Sequence, residues 1–239
     1  MIKVRGQYNK TKVFTDNIEE TMKVRRNDIL KVIAILTMLI DHVGLVFFPQ
    51  YEAFRIIGRI AFPIFAYQLA IGYRHTSNRK KYMFRLWTFA LISQIPYTLL
   101  FDTYDFNILF TLLLSIILID QISKGNQYWV PIILFFVTIP KYIDVIPSFE
   151  YDWYGILTPI LFHWFYNSKE KLLVAQIISL TIYVLVDGWI YQEFAILGIL
   201  ICLYFPRDIL KIQLNKYFFY WFYPVHLLVL FIIFQVINK

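Results

Sequence analysis

The stretch DILKVIAILTMLIDHVGLVFF, residues 28–48, has the length and apolar character of a membrane-spanning helix, yet it carries Lys31, Asp41 and His42. A helix needs about 20 mostly apolar residues to cross a bilayer. An ionisable group near the centre of such a helix costs about 2.5–3.5 kcal/mol on insertion scales, and persists where it faces a bundle interior or a cavity. Periodicity orders the three. Lys31 and His42 are separated by about three full turns plus 20°, so they share one face about 16 Å apart along the axis. Asp41 lies about 100° round from His42 and points elsewhere. Asp28 is three residues before Lys31, within reach of a same-face ion pair.

The rest of the chain repeats the first stretch. Of 239 residues, 59% are hydrophobic and 16% charged, against about 25% charged in ordinary soluble domains. Apolar runs fall at 28–48, 54–73, 82–101, 106–122, 128–146, 153–167, 171–187, 189–205 and 217–237. They predict an all-α, polytopic integral membrane bundle of about nine transmembrane helices. The sixth and eighth runs are short or interrupted by Pro159, His163 and Glu193, which leaves the count between eight and ten. Residues 1–27 are polar and basic, without the short apolar region of a signal peptide. They read as a cytoplasmic tail before a single domain at 28–239.

The net charge of +7 is distributed as a topology signal, not as a nucleic-acid patch. With the N-terminus in the cytoplasm, eighteen lysines and arginines fall on the inner side and only Lys141 and Lys239 on the outer. The outer loops are acidic, with Asp105, Glu150, Asp152 and Asp187 among them. Cys202 stands alone, so no internal disulfide is available, and no zinc spacing or phosphate-binding glycine loop is present. No metal is expected.

Further polar residues sit in or beside the runs. Arg55 and Arg59, four apart, share a face near the outer side, and Pro63 interrupts the helical ladder beyond them. Arginine does not lose its proton, so a carboxylate partner is expected from Asp41, Glu150 or Glu193. His226 and Tyr223, in FYWFYPVHLLVL, flank Pro224 and read as a cavity edge. The cytoplasmic loop GYRHTSNRKKYMFR carries Arg74, Arg79, Lys80 and Lys81. It reads as a topology determinant, a phospholipid contact or the entry of an anionic ligand. Lys31 alone also admits a plain reading, in which it snorkels to the interface.

The segment from LKVIAILTMLIDHVGLVFF through SQIPY, with KYFFYWFYPVHLLVL near the end, resembles the TraX family of bacterial membrane proteins. Its founding member is associated with N-acetylation of conjugative pilin. The same residues resemble the wider acyltransferase family three. There an aspartate, a basic residue three later and a histidine after ten more mark the first span, here Asp28, Lys31 and His42. The resemblance implies an acetyl-CoA-dependent transferase in the bacterial cytoplasmic membrane. Lys31, Arg74, Arg79, Lys80 and Lys81 would meet the coenzyme phosphates. His42 would act as base or acyl acceptor, oriented by Asp41 or Glu193, and Arg59 would stabilise the oxyanion. The acceptor would be an amine or hydroxyl on a protein N-terminus, lipoprotein or glycan. Two other classes compete: a transporter or proton pathway, since buried ionisable groups also build relays, and a non-enzymatic partner in a secretion or conjugation apparatus.

Overall fold

The computed structural model describes residues 28–143, 146–206 and 212–238, so the tail at 1–27 lies outside the described residues. Among them the chain is all-helical. The α-helices are α1 (Ile29–Phe47), α2 (Glu52–Gly58), α3 (Ala61–His75), α4 (Arg79–Phe101) and α5 (Ile108–Ile122). They continue as α6 (Trp129–Thr138), α7 (Asp152–Trp164), α8 (Lys169–Asp187), α9 (Ala195–Tyr204) and α10 (Lys216–Ile237). Short 3-10 turns at Ile139–Tyr142 and Ile190–Phe194 extend α6 and precede α9.

With α2 and α3 counted as one broken helix, the described residues hold nine α-helical segments, each overlapping one of the nine apolar runs. The break falls at Arg59 and Ile60. Pro63 has no N–H to donate to the Arg59 carbonyl, and it falls in the first turn of the helix that resumes, where an N–H lacks an intrahelical partner in any case. Among the described residues the run at 128–146 is α-helical from Trp129 to Thr138, and the run at 189–205 begins as a 3-10 turn. Pro224 does not end its helix, because α10 continues to Ile237. Asn107 caps α5 through a bond from the Leu109 N–H to its side-chain oxygen at 3.0 Å.

Among the described residues, three segments are long and apolar enough to cross a bilayer by length and composition: α1, the α2–α3 pair and α10. Shorter apolar helices include α5 and the extended α6 and α9. Large apolar side chains such as Phe84, Ile95, Phe136, Leu185 and Val236 face outward. In water such a surface would drive association, whereas against lipid tails it carries no penalty.

α3 is packed by α1, α7 and α9, and α7 also meets α5 and α8. Ala66 and Ala70 of α3 are fully buried, and their small side chains let neighbouring backbones approach. Tyr73, Tyr154 and Phe162 fill the core around them. On the far side α10 packs on α4 and closes over α1. The start of α1 is tied to the segment before α10 by bonds from Asp28 N to Ile212 O and from Leu214 N to the Asp28 carboxylate.

A Cβ added at Gly198 of α9 would stand 2.5 Å from the Ile60 carbonyl oxygen, at the break between α2 and α3. Backbone cannot rotate aside as a side-chain tip can. Gly198→Val is therefore expected to lower stability by about 3 kcal/mol, at the upper end of usual overpacking costs. Thermal unfolding of the detergent-solubilised protein measures it.

Candidate active site

The end of α1 and the start of the α2–α3 pair face each other across Gly58. A Cβ at Gly58 would lie 2.1 Å from Oδ1 of Asp41, so only glycine permits this approach. Arg55 and Arg59, one turn apart, both reach the Asp41 carboxylate. Arg55 Nη1 donates to Oδ2 at 2.8 Å, and Arg59 Nη2 donates to Oδ1 at 3.0 Å and Oδ2 at 3.1 Å. The second amino group of Arg59 donates to Tyr151 OH and Gln192 Oε1, both at 3.1 Å. Its Nε donates to the Arg55 carbonyl at 3.2 Å. A guanidinium has five N–H groups, and Arg59 commits all five. Arg55 donates to Asp41 alone among the described residues, and its Nε and Nη2 are uncommitted. Both guanidiniums lie 5.7 Å from the Trp189 ring.

One position on, His42 turns away from this cluster, as a 100° step requires. Its Nδ1 lies 2.8 Å from Nε2 of His226, and Nδ1 of His226 lies 2.8 Å from the Phe222 carbonyl oxygen. Both histidines are buried. Phe101 packs edge-on against His42, and Tyr223 leans on His226.

His42, Asp41, Arg55 and Arg59 line the inner wall of a cavity of about 390 Å³. Its outer walls come from the loops after α4, α6 and α8, including Asp105, Lys141, Glu150, Tyr151 and Asp187. Lys141 is paired with both Asp152 and Asp187. Glu150 Oε2 accepts from the Ile108 N–H at 3.0 Å. Removal from water pushes the Glu150 carboxyl up to about 7, with Asp41 adding to the rise, while Arg59, the Ile108 N–H and Arg55 pull it down.

A family model described as TraX protein matches residues 26–234. The chain belongs to the TraX family. Among similar family members, a probable fimbrial assembly protein FimC, serogroup H1, of Dichelobacter nodosus is 29% identical over 234 residues, covering 84% of this chain and 92% of that protein. Protein TraX of Escherichia coli is 38% identical over 87 residues, which is 36% of this chain and 35% of that protein. No solved structure matches the chain.

In this TraX-family chain the structure divides the candidate residues into two groups. His42, Asp41, Arg55, Arg59 and Glu150 share the cavity, His226 stands directly behind His42, and Tyr223 leans on His226. Lys31, Arg74, Arg79, Lys80 and Lys81 are not part of the cavity lining. Lys31 pairs with Asp28 at 2.7 Å and covers the Phe219 ring. Arg74 donates to the His163 carbonyl and lies over Tyr166, and Arg79 lies over Tyr73 and 3.9 Å from Asp120. Lys80 and Lys81 are exposed at the start of α4. Glu193 is exposed and outside the lining, and its neighbour Gln192 is the side chain that reaches Arg59. Asp41 spends both oxygens on arginines, so it is His226 that meets His42. Tyr151, Gln192, Lys141 and Trp189 escape a reading by hydrophobic run, because each sits in or beside a connecting segment. The aromatic cluster WIYQEF and the acidic outer loops are the signals that point to them.

Asp41→Asn leaves two guanidiniums without their shared counter-charge. Breaking a buried pair from one side costs about 3–5 kcal/mol, and a drop in melting temperature in detergent is the expected readout. Arg59→Lys is expected to rescue little, since an ammonium cannot reproduce five bonds in a planar fork. For Glu150, infrared spectroscopy is expected to show a protonated carboxyl that disappears as pH rises through about 7 and is absent from Glu150→Gln. A raised folded-state value means that the protonated form favours folding. That contribution is full below the ordinary value of 4.5 and is lost as pH rises through about 7. Glu150→Gln is therefore expected to raise thermal stability on the alkaline side of that value and not at acid pH.

Proposed function

We propose that the chain is an integral-membrane acyltransferase, moving an acetyl group from cytosolic acetyl-CoA to an amine or hydroxyl presented at the outer face or in the bacterial cytoplasmic membrane. The observation that carries this reading is a buried imidazole, His42, on the wall of a cavity whose adjoining wall holds a guanidinium with uncommitted donors. The nine α-helical segments among the described residues and the bias of eighteen basic residues to one side support a multi-pass bundle with a cytoplasmic N-terminus. The outer-loop lining of the cavity then opens it away from the cytoplasm.

The acyl donor supplies an activated thioester carbonyl. His42 Nε2, which has no partner among the described residues, accepts the proton of the acceptor nucleophile as the new bond to that carbonyl carbon forms. Arg55 Nε and Nη2 face the charge that develops on the carbonyl oxygen. Arg59, with every donor engaged, holds Asp41 and Arg55 in place and leaves the oxyanion to Arg55. As the carbon–sulfur bond breaks, the His42 imidazolium returns its proton to the departing thiolate. At the opposite end Lys31, Arg74, Arg79, Lys80 and Lys81 offer positive charge and planar donors that suit phosphates. The resemblance to a fimbrial assembly protein favours a protein N-terminus on an exported pilus-type chain over a lipoprotein or glycan acceptor.

A proton pathway draws less support. The hydrogen-bonded chain from His42 through His226 ends on the Phe222 carbonyl, which passes no proton onward.

Purified protein mixed with radiolabelled acetyl-CoA and membrane extract tests the proposal. Labelled product is expected from the wild type. His42→Ala should reduce transfer by at least 10²-fold, the usual weight of a general base, with thermal stability retained. Neither coenzyme A binding nor labelled product in the wild type would refute the transferase reading. Undiminished transfer by His42→Ala would remove the assignment of the base alone. Reversing the charges of Arg79, Lys80 and Lys81 should raise the KM for acetyl-CoA with little change in kcat.

A further inference from the structure

A neutral imidazole carries one N–H, and the partner of one ring nitrogen decides what the other can do. The His42–His226 pair therefore has a direction that can be read from its far end. The Phe222 carbonyl can only accept, so the 2.8 Å contact requires the hydrogen on Nδ1 of His226. With that nitrogen protonated, Nε2 of a neutral His226 is a lone pair. The 2.8 Å contact between Nε2 of His226 and Nδ1 of His42 must then be donated by His42. His42 in turn is left with a bare Nε2.

We infer that His226 is a positioning residue that holds His42 as its Nδ1–H tautomer and so keeps the Nε2 lone pair of His42 free as the base. This rests on the transferase reading for its purpose, though not for its geometry. The two ring planes differ by 4° and their centroids are 5.0 Å apart. With 2.8 Å between the nitrogens, the rings meet edge to edge in one plane, and the N–H points along the lone pair. Phe222 stacks on His226 at 4.9 Å and 15°, and the contact of His226 with the Phe222 carbonyl fixes its rotation. The i, i+4 spacing on α10 supplies ring and carbonyl from the same helix face.

The reverse polarity needs a charged His226, with both nitrogens donating. That would be a buried cation to which no carboxylate is hydrogen-bonded among the described residues. Both oxygens of Asp41, the nearby acid on α1, are engaged by Arg55 and Arg59.

The arrangement acts on the reaction as well as on the resting state. When His42 takes up the proton, its Nδ1–H continues to donate to His226, and the bond becomes charge-assisted and stronger. Stabilisation that grows only as the imidazolium forms lowers the barrier and leaves substrate binding unchanged. A neutral histidine backed by a carbonyl gives this without placing a further carboxylate in the membrane interior.

The tautomers are directly readable by nitrogen-15 NMR on the histidine-labelled full chain in nanodiscs, without any acyl donor. There are four histidines to assign, each by its substitution. The expected spectrum places the proton of both His42 and His226 on Nδ1. His226→Gln, whose side-chain oxygen can accept from His42, should preserve the His42 tautomer, and His226→Leu should move it towards Nε2–H. Wild-type His42 with its proton on Nε2 would overturn the inference, as would an unchanged His42 signal in His226→Leu. If His226→Leu does not fold, the wild-type and His226→Gln spectra still decide the matter. In the transfer assay His226→Leu should lower kcat roughly 10²-fold with KM unchanged, a loss of the order carried by a general base. His226→Gln should recover most of it, and full activity in a folded His226→Leu would refute the role. Absence of transfer in the wild type, with the expected tautomers present, would refute the transferase reading and leave the positioning intact.

Discussion

A single carboxylate, Asp41, holds two guanidiniums across the glycine at position 58, and the inner wall of the cavity is built on that contact. Burying an ion pair is not in itself stabilising, because the loss of hydration offsets the attraction. What the pair does here is fix geometry. Arg59 extends it to Tyr151 at the head of α7 and to Gln192 before α9, so helices from three parts of the chain converge on one side chain. Once Arg59 is saturated, Arg55 keeps the uncommitted donors, and the cavity acquires a positive inner wall.

The molecule is polarised from end to end. One end gathers Lys31, Arg74, Arg79, Lys80 and Lys81 with their aromatic and carboxylate partners. The other gathers the acidic loops, the cavity and Lys141 between Asp152 and Asp187. Between them the core is apolar and the outer faces are too. An ionisable group in that middle layer has to find its partner within the protein. His42 and Asp41 are neighbours in sequence that found different partners.

Much of this was legible residue by residue. A 100° step per residue separates Asp41 from His42, and the structure sends one to the arginines and the other to His226. The i, i+3 spacing of Asp28 and Lys31 matches the ion pair observed. Pro63 marks the break between α2 and α3. Of the three carboxylates offered to the arginines, Asp41 is the one that pairs with them, and Glu193 had only its charge to recommend it. At the turn before α9 the backbone directs Gln192 inward and leaves Glu193 exposed. Local periodicity does not hold through a 3-10 turn, so spacing does not say which of these two side chains turns inward.

The sequence by itself determined the helices, their faces and the side of the bundle on which positive charge collects, because these follow from apolar run length, a fixed angular step and local charge. It marked His42, Asp41, Arg55, Arg59 and His226 as polar groups that must be satisfied inside. Only the tertiary structure decided who satisfies whom. His42 and His226 are 184 residues apart, and Arg59 and Gln192 are 133 apart. No local rule fixes a contact across such distances. It depends on how closely helices pack, and here a bare glycine at position 58 decides which carboxylate the arginines reach.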